Sequence, residues 1–281
     1  MIYSKRLVAL AAVAALALAA CSDDDGVVGP VQEEPKALIR FINAVPDTGV
    51  VDFRFIDRLE NLPTFLGVPF RASSGMYQAV GVGARPVRVF VNSTDPIAAQ
   101  RMLIDTTITL AAGARYTLIY AGRARGGADR LAVIDDDATL PAPGTGIAVR
   151  TIHAAVGTGA VDVYVANSGA TDPIATKVGQ FTNVAYLGKT AYANLPARTG
   201  TGALYLFGIA NAGAATTLFS ATPNQPGIPT PAGQLTSPQP GVQIAGSVLT
   251  ALVFPGATAG SPAATATNQT PTVVLFIDKV L

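Results

Sequence analysis

Ala37-Leu38-Ile39-Arg40-Phe41-Ile42-Asn43-Ala44-Val45-Pro46-Asp47-Thr48-Gly49-Val50-Val51-Asp52-Phe53-Arg54-Phe55 is the stretch that decides the fold, because the chain uses it twice. It returns 110 positions later as Ile147-Ala148-Val149-Arg150-Thr151-Ile152-His153-Ala154-Ala155-Val156-Gly157-Thr158-Gly159-Ala160-Val161-Asp162-Val163-Tyr164-Val165. Arg, Ile, Ala, Thr-Gly and Val-Asp stay in register without a gap, and most other positions exchange one apolar residue for another. A self-match at one fixed offset marks a duplicated unit. Val51, Phe53 and Phe55 alternate with Asp52 and Arg54, the period of a strand with one buried face.

Working outward, the same punctuation continues. Gly75–Val80, Pro86–Val91, Met102–Leu110, Tyr116–Tyr120 and Leu131–Ile134 read as further strands with turn residues between them. Roughly seven short strands in about 100 residues is the pattern of an immunoglobulin-like sandwich. The second copy answers in order. Tyr192-Ala193-Asn194-Leu195 follows Tyr77-Gln78-Ala79-Val80, and Gly246–Thr250 follows Gly113–Thr117. Val273–Asp278 follows Leu131–Asp136. The expected fold class is therefore all-β, two tandem immunoglobulin-like β-sandwiches, over 37–137 and 147–281. Residues 138–146, with two Pro and two Gly, form a short linker. The extra length of the second copy falls in Pro223–Gly241 and Pro255–Pro271, whose few charges point to flexible loops.

Composition agrees: 49% of residues are hydrophobic and 13% charged, with 28 Gly, 20 Pro and no Trp. That mix favours packed strands and turns over disorder. A net charge of +1 without a basic run argues against a nucleic-acid partner. One Cys excludes an internal disulfide and any multi-cysteine metal site. No cofactor and no metal is expected.

Before the repeats, Lys5 and Arg6 precede a run of 14 apolar residues, Leu7 to Ala20, too short for a membrane span. It ends in Leu18-Ala19-Ala20-Cys21, which resembles the lipobox of bacterial lipoproteins. The resemblance implies cleavage before Cys21 and acyl chains on Cys21, a palmitate-type anchor to the cell envelope. Residues 1–20 are then a signal peptide. Residues 21–36 are the lipidated Cys and a disordered acidic tether. Ser22 is similar to the residue that directs enteric lipoproteins to the outer membrane.

The repeated core, Arg40, Asn43, Ala44 and Val51-Asp52-Phe53 with Arg150, His153, Ala154 and Val161-Asp162-Val163-Tyr164-Val165, resembles the uncharacterised bacterial family called domain of unknown function 4397. A Gly-x-x-Tyr-Thr strand of that family is matched at Gly113–Thr117. The resemblance implies exported tandem β-sandwich proteins and brings no catalytic residues.

The candidate chemistry is thin. His153 is the only His, and its counterpart is Asn43, which cannot act as a base; a hydrogen-bonded loop residue is the better reading. Asp135-Asp136-Asp137 reads as a solvated strand end rather than a calcium site. Asp57 and Glu60 are near each other in sequence, a weak signal for paired carboxylates. Gly81-Val82-Gly83 reads as a turn. Tyr77, Tyr116, Tyr120, Tyr164, Tyr186, Tyr192 and Tyr205 would bind sugars only if several shared one exposed face. Arg40 with Asp52, and Arg150 with Asp162, recur at a separation of 12. Antiparallel pairing across the Thr-Gly turn would set each Arg opposite its Asp and fix strand register. The expected function is a lipid-anchored envelope module that binds or spaces a protein or glycan; the alternative is a hydrolase of envelope polysaccharide.

Overall fold

The computed structural model describes residues 34–57, 65–136, 139–231 and 233–281. The signal peptide, Cys21 and most of the tether lie outside the described residues, as do Glu60 and Asp137. Pro35–Leu281 form one compact unit, almost entirely β.

The first repeat contains β1 (Lys36–Asn43), β2 (Val51–Phe55), β3 (Phe65–Val68), β4 (Gln78–Gly81), β5 (Gly83–Val91), β6 (Met102–Leu110), β7 (Arg115–Ala121) and β8 (Arg130–Asp136). The second contains β9 (Gly146–His153), β10 (Val161–Asn167), β11 (Lys177–Val184), β12 (Ala193–Pro196), β13 (Tyr205–Asn211), β14 (Phe219–Ala221), β15 (Val248–Phe254) and β16 (Thr272–Ile277). A short helix, α1 (Pro96–Ala99), precedes β6 and is capped by Asp95, whose Oδ1 accepts from the Ile97 N–H.

Each repeat is a sandwich of two four-stranded sheets. One sheet runs β4-β1-β7-β8 and the other β3-β2-β5-β6; their counterparts are β12-β9-β15-β16 and β11-β10-β13-β14. Among the described residues no sheet runs through both repeats. The central pair of one sheet is parallel in each copy, β1 with β7 and β9 with β15, where the other pairings are antiparallel.

Two cores lie inside the sandwiches. Ala37, Ile39 and Phe41 meet Phe53, Phe65 and Val89 in the first. Ile147 and Val149 meet Val163, Phe207 and Ile209 in the second. A third core joins the repeats. Ile42, Ile119, Ala121 and Ile134 from the β1 sheet pack against Ile152, Leu252 and Phe254 from the β9 sheet. The sheets therefore stack in four layers, with the β1 and β9 sheets innermost. Strands of those sheets are covered on both faces, so β1 and β9 read as nearly continuous apolar runs. β2, in an outer sheet, keeps its alternation.

The link between β1 and β2 is an arch and not a hairpin. Pro46–Gly49 carries the chain from an inner sheet to an outer one, so β1 and β2 are not neighbours. Pairing arithmetic that assumes a hairpin fails here.

The stretch Pro255–Pro271 was expected to be a flexible loop; it is an ordered strap between β15 and β16 that reaches across to the first repeat. Thr258 N–H donates to Pro46 O at 2.8 Å, and Ser261 Oγ to the same oxygen at 3.2 Å. Arg71 donates to Pro255 O and Thr270 O. The strap's many Ala, Gly, Ser and Thr residues have little side chain, which lets its backbone lie close against the arch.

Candidate functional site

Among the described residues, the buried polar groups at matching positions of the two copies fall into three groups.

The first group is buried between the repeats. Arg40 on β1 is registered beside Thr117 on β7, and Arg150 on β9 beside Thr250 on β15. Asp136, which ends β8, and Asp278, which follows β16, lie on the same faces. Tyr77 and Tyr192 precede β4 and β12. Each carboxylate divides its two oxygens between the copies. Asp136 Oδ2 accepts from Thr117 Oγ1 and Tyr77 OH, both at 2.7 Å, while Oδ1 lies 2.7 Å from Arg150 Nη1 of the other repeat. Asp278 Oδ2 accepts from Thr250 Oγ1 at 2.6 Å and Tyr192 OH at 3.0 Å, while Oδ1 lies 2.9 Å from Arg40 Nη1. Arg40 Nη2 also donates to Thr117 Oγ1 at 3.2 Å, and Arg150 Nε to Thr250 Oγ1 at 2.8 Å. The guanidinium carbons lie over the Tyr77 ring at 4.6 Å and the Tyr192 ring at 5.0 Å. Both Arg side chains are fully buried.

Burial alone would pull the Arg40 and Arg150 pKa values down. The facing carboxylates, Asp278 foremost for each, more than offset it, so both groups end above the ordinary value and stay charged. Burial pushes the Tyr77 phenol up to about 12 and raises Tyr192 as well. Both phenols therefore remain donors at any ordinary pH. A buried ion pair of this kind adds little net stability against an apolar replacement; removing one partner is what costs. Its use here is to fix which face meets which, and in what register.

This corrects the expected pairs. Arg40 does not meet Asp52, nor Arg150 Asp162. The Arg residues pair across the repeats, because the arch puts each Asp in an outer sheet.

Asp52 and Asp162 form the second group. Asp52 Oδ1 accepts from Gly67 N–H at 2.9 Å and Asn92 Nδ2 at 2.8 Å, and Oδ2 from Arg54 Nη2 at 2.9 Å. Asp162 Oδ1 accepts from Asn183 N–H at 2.7 Å, and Oδ2 from Gly213 N–H at 2.9 Å. Both face a register shift, between β2 and β3 in one copy and β10 and β11 in the other. Gly67 and Asn183, at φ 63° and 51°, are the left-handed residues of these bulges. The Asp supplies the acceptor that the ladder no longer offers.

Asn43 and His153 form the third. Asn43 Nδ2 donates to Gly49 O at 3.1 Å and Oδ1 accepts from Val45 N–H at 3.2 Å. His153 Nε2 lies 3.0 Å from Gly159 O, and Nδ1 accepts from Ala155 N–H at 3.3 Å. The two side chains make the same pair of bonds across the same arch. With Nδ1 accepting, the ring proton sits on Nε2. Burial lowers the His153 pKa, so the ring is neutral.

The remaining candidates are dispersed. Asp57 accepts from Arg85 Nε and Nη2. The tyrosines outside the inter-repeat network are spread through the molecule: Tyr120 OH donates to Asp129 at 2.6 Å, Tyr116 OH accepts from Ala111 N–H, and Tyr186 packs edge-on to His153. Gly81-Val82-Gly83, expected to be a turn, is a crossing between sheets: Gly81 ends β4, Gly83 begins β5 in the other sheet, and Val82 alone lies between them. Among the described residues no group of three or more His, Cys, Asp or Glu could hold a metal ion, and no helix is long and apolar enough to cross a membrane. What sequence reasoning missed was the burial of Asp136 and Asp278. The signal was present: each is aligned with the other at the end of a closing strand, just as Arg40 is with Arg150.

A search of the curated proteins finds no match to this chain. A family model does match, that of the Domain of unknown function (DUF4397), over residues 37–164. The match begins on β1 and runs through the whole first repeat, the second arch and the second Val-Asp pair. Over that span, which holds both arginines, both arch residues and both bulge aspartates, the chain is similar to this family.

Proposed function

We propose that the protein is a lipid-anchored module of the cell envelope that binds or spaces a protein or glycan and carries out no catalysis. The observation that carries this reading is the employment of the shared polar residues. Arg40, Arg150, Asp136, Asp278, Asp52, Asp162, Asn43 and His153 are all buried and bonded to the chain's own atoms. They hold bulges, arches and repeats in place. Two sandwiches locked face to face make a stiff body, suited to presenting a surface at a fixed distance.

Leu18-Ala19-Ala20-Cys21 supplies the anchor. Acyl chains on Cys21 hold the protein at the membrane, since two hydrophobic chains suffice for stable attachment. Ser22 favours the outer membrane. Mass spectrometry of the purified N-terminus tests the anchor: an acylated Cys21 is expected, and a free thiol there would sink it. Pull-down from intact envelopes with the lipidated protein tests the binding role. Turnover of an envelope polysaccharide by the pure protein would overturn the non-enzymatic reading in favour of a hydrolase.

A further inference from the structure

The arch of the first repeat borders a cleft of about 320 Å³. Apolar side chains line much of it, Val50, Val91 and Leu103 from the first repeat and Pro262 from the strap of the second, with Thr48 and Asn92 among them. Two arginines stand at it, Arg101 before β6 and Arg125 in the β7–β8 connection. The volume falls within the range of small-molecule sites, which favour such junctions between domains. At a liquid share of about 30 Å³ per water it holds about ten waters, the bulk of one substituted sugar ring or a short peptide end.

The charge balance indicates the ligand. Asp47 is the one acidic residue lining the cleft. Both of its oxygens are occupied, Oδ1 by Ala124 N–H at 2.9 Å and Oδ2 by Arg125 N–H at 3.0 Å. Those bonds hold the loop that carries Arg125. Arg125 Nη2 donates to Gly260 O at 3.1 Å, which joins it to the strap. The exposed Arg101 side chain makes no ion pair or hydrogen bond among the described residues. In the second copy Thr217 and Leu218 follow the corresponding turn, so this cleft is not one of the shared features of the repeats.

We propose that this cleft binds a small ligand carrying a carboxylate, which pairs with the Arg101 guanidinium while its body lies on Val50, Leu103 and Pro262. A guanidinium receives a carboxylate through two parallel N–H bonds, which gives direction as well as attraction. The carboxylate could belong to a sugar acid or to the end of a peptide. This deepens the reading of a binding module and rests on it, but its test is independent of the anchor.

Calorimetric titration of the full chain in detergent would use glucuronate and N-acetyl-dialanine, each beside its uncharged methyl ester. One acid should bind, with its ester at least about tenfold weaker. Arg101→Gln should weaken the same acid about tenfold or more with Tm unchanged, because Arg101 supports nothing else. Whichever acid binds identifies the source of the carboxylate. No binding of either acid at about 10 mM would overturn the proposal. So would equal binding of acid and ester, or an Arg101→Gln protein that binds as well as the parent. None of these failures bears on Cys21 acylation, so the anchor would stand or fall separately.

Discussion

The two copies keep some polar residues and exchange another, and the difference separates two kinds of constraint. Arg40, Tyr77, Thr117 and Asp136 recur as Arg150, Tyr192, Thr250 and Asp278. Each Asp serves its own Thr and Tyr with one oxygen and the other copy's Arg with the second. A change in one copy would strand a charge in the other, so neither copy can drift alone. Asn43 and His153 bond within their own copy, each across its own arch, and Asn43 also donates to Val68 O on β3 at 3.1 Å. That task needs a donor and an acceptor at the right spacing, and an amide or a neutral imidazole supplies both. Residues that meet between the repeats are held fixed; residues that act within a copy can be replaced by an equivalent.

Removing a carboxylate from the shared network should have the largest effect. Asp278→Ala leaves Arg40 buried without its partner and should cost about 3–5 kcal/mol in denaturant unfolding. Asp136→Ala should cost a similar amount by stranding Arg150. A large gap between the two would break the equivalence of the copies. Replacing the pair together, Arg40→Met with Asp278→Leu, should recover most of the loss.

The bulge aspartates come next. Asp52→Ala and Asp162→Ala each leave a backbone N–H without its acceptor, at Gly67 or Asn183, and should cost about 1–3 kcal/mol in the same assay. Unchanged stability in both would mean that water replaces the carboxylate.

His153→Asn should alter stability at pH 8 by less than about 1 kcal/mol, since Asn43 already does this work. Its signature is in acid. The folded pKa of His153 lies below its ordinary 6.5, so beneath that pH the unfolded chain takes up a proton that the folded ring refuses. Stability from this group is thus complete above about 6.5 and falls as pH drops toward the folded pKa. His153→Asn should flatten that part of the stability profile; a profile of unchanged slope would contradict the neutral ring.

The smallest effect concerns the bulges themselves. Asn183→Gly should be neutral within about 0.5 kcal/mol, whereas Gly67→Ala should destabilise by about 1 kcal/mol, because only Asn and Gly enter the left-handed region readily. Thermal melts of the two variants side by side would show the difference.

Much of this was legible before any coordinates. The repeat offset, the strands and the one-face alternation of Val51–Phe55 follow from pattern alone. The partner of Arg40 did not. A Thr-Gly turn between two strands looks alike whether it closes a hairpin or crosses between sheets, and the two cases send Arg40 to different neighbours. One clue distinguished them: Ala37 to Ile42 hardly alternates, as befits a strand buried on both faces. An Arg within such a run must find its counter-ion on a second layer. The strap Pro255–Pro271 was misjudged for another reason. Composition reports what side chains can bury, and this segment is held largely by backbone atoms. The cleft at Arg101 was invisible because its walls come from distant parts of the chain.

The Arg40–Asp278 pair also orders events in time. Arg40 lies on the first of the sixteen strands described, and its counter-ion follows the last of them. Once β8 is complete the first repeat has every strand of its own, yet its inner face still shows Ile42, Ile119, Ile134 and an unanswered charge. That face carries Asp136, the counterpart of Asp278, so a copy of the same face also presents a carboxylate to Arg40, because the contacts between the repeats are reciprocal. From β8 until Asp278 arrives, two neighbouring unfinished chains offer each other the surface that each is waiting to cover. The span between these two residues is therefore the interval during which synthesis must keep such chains apart.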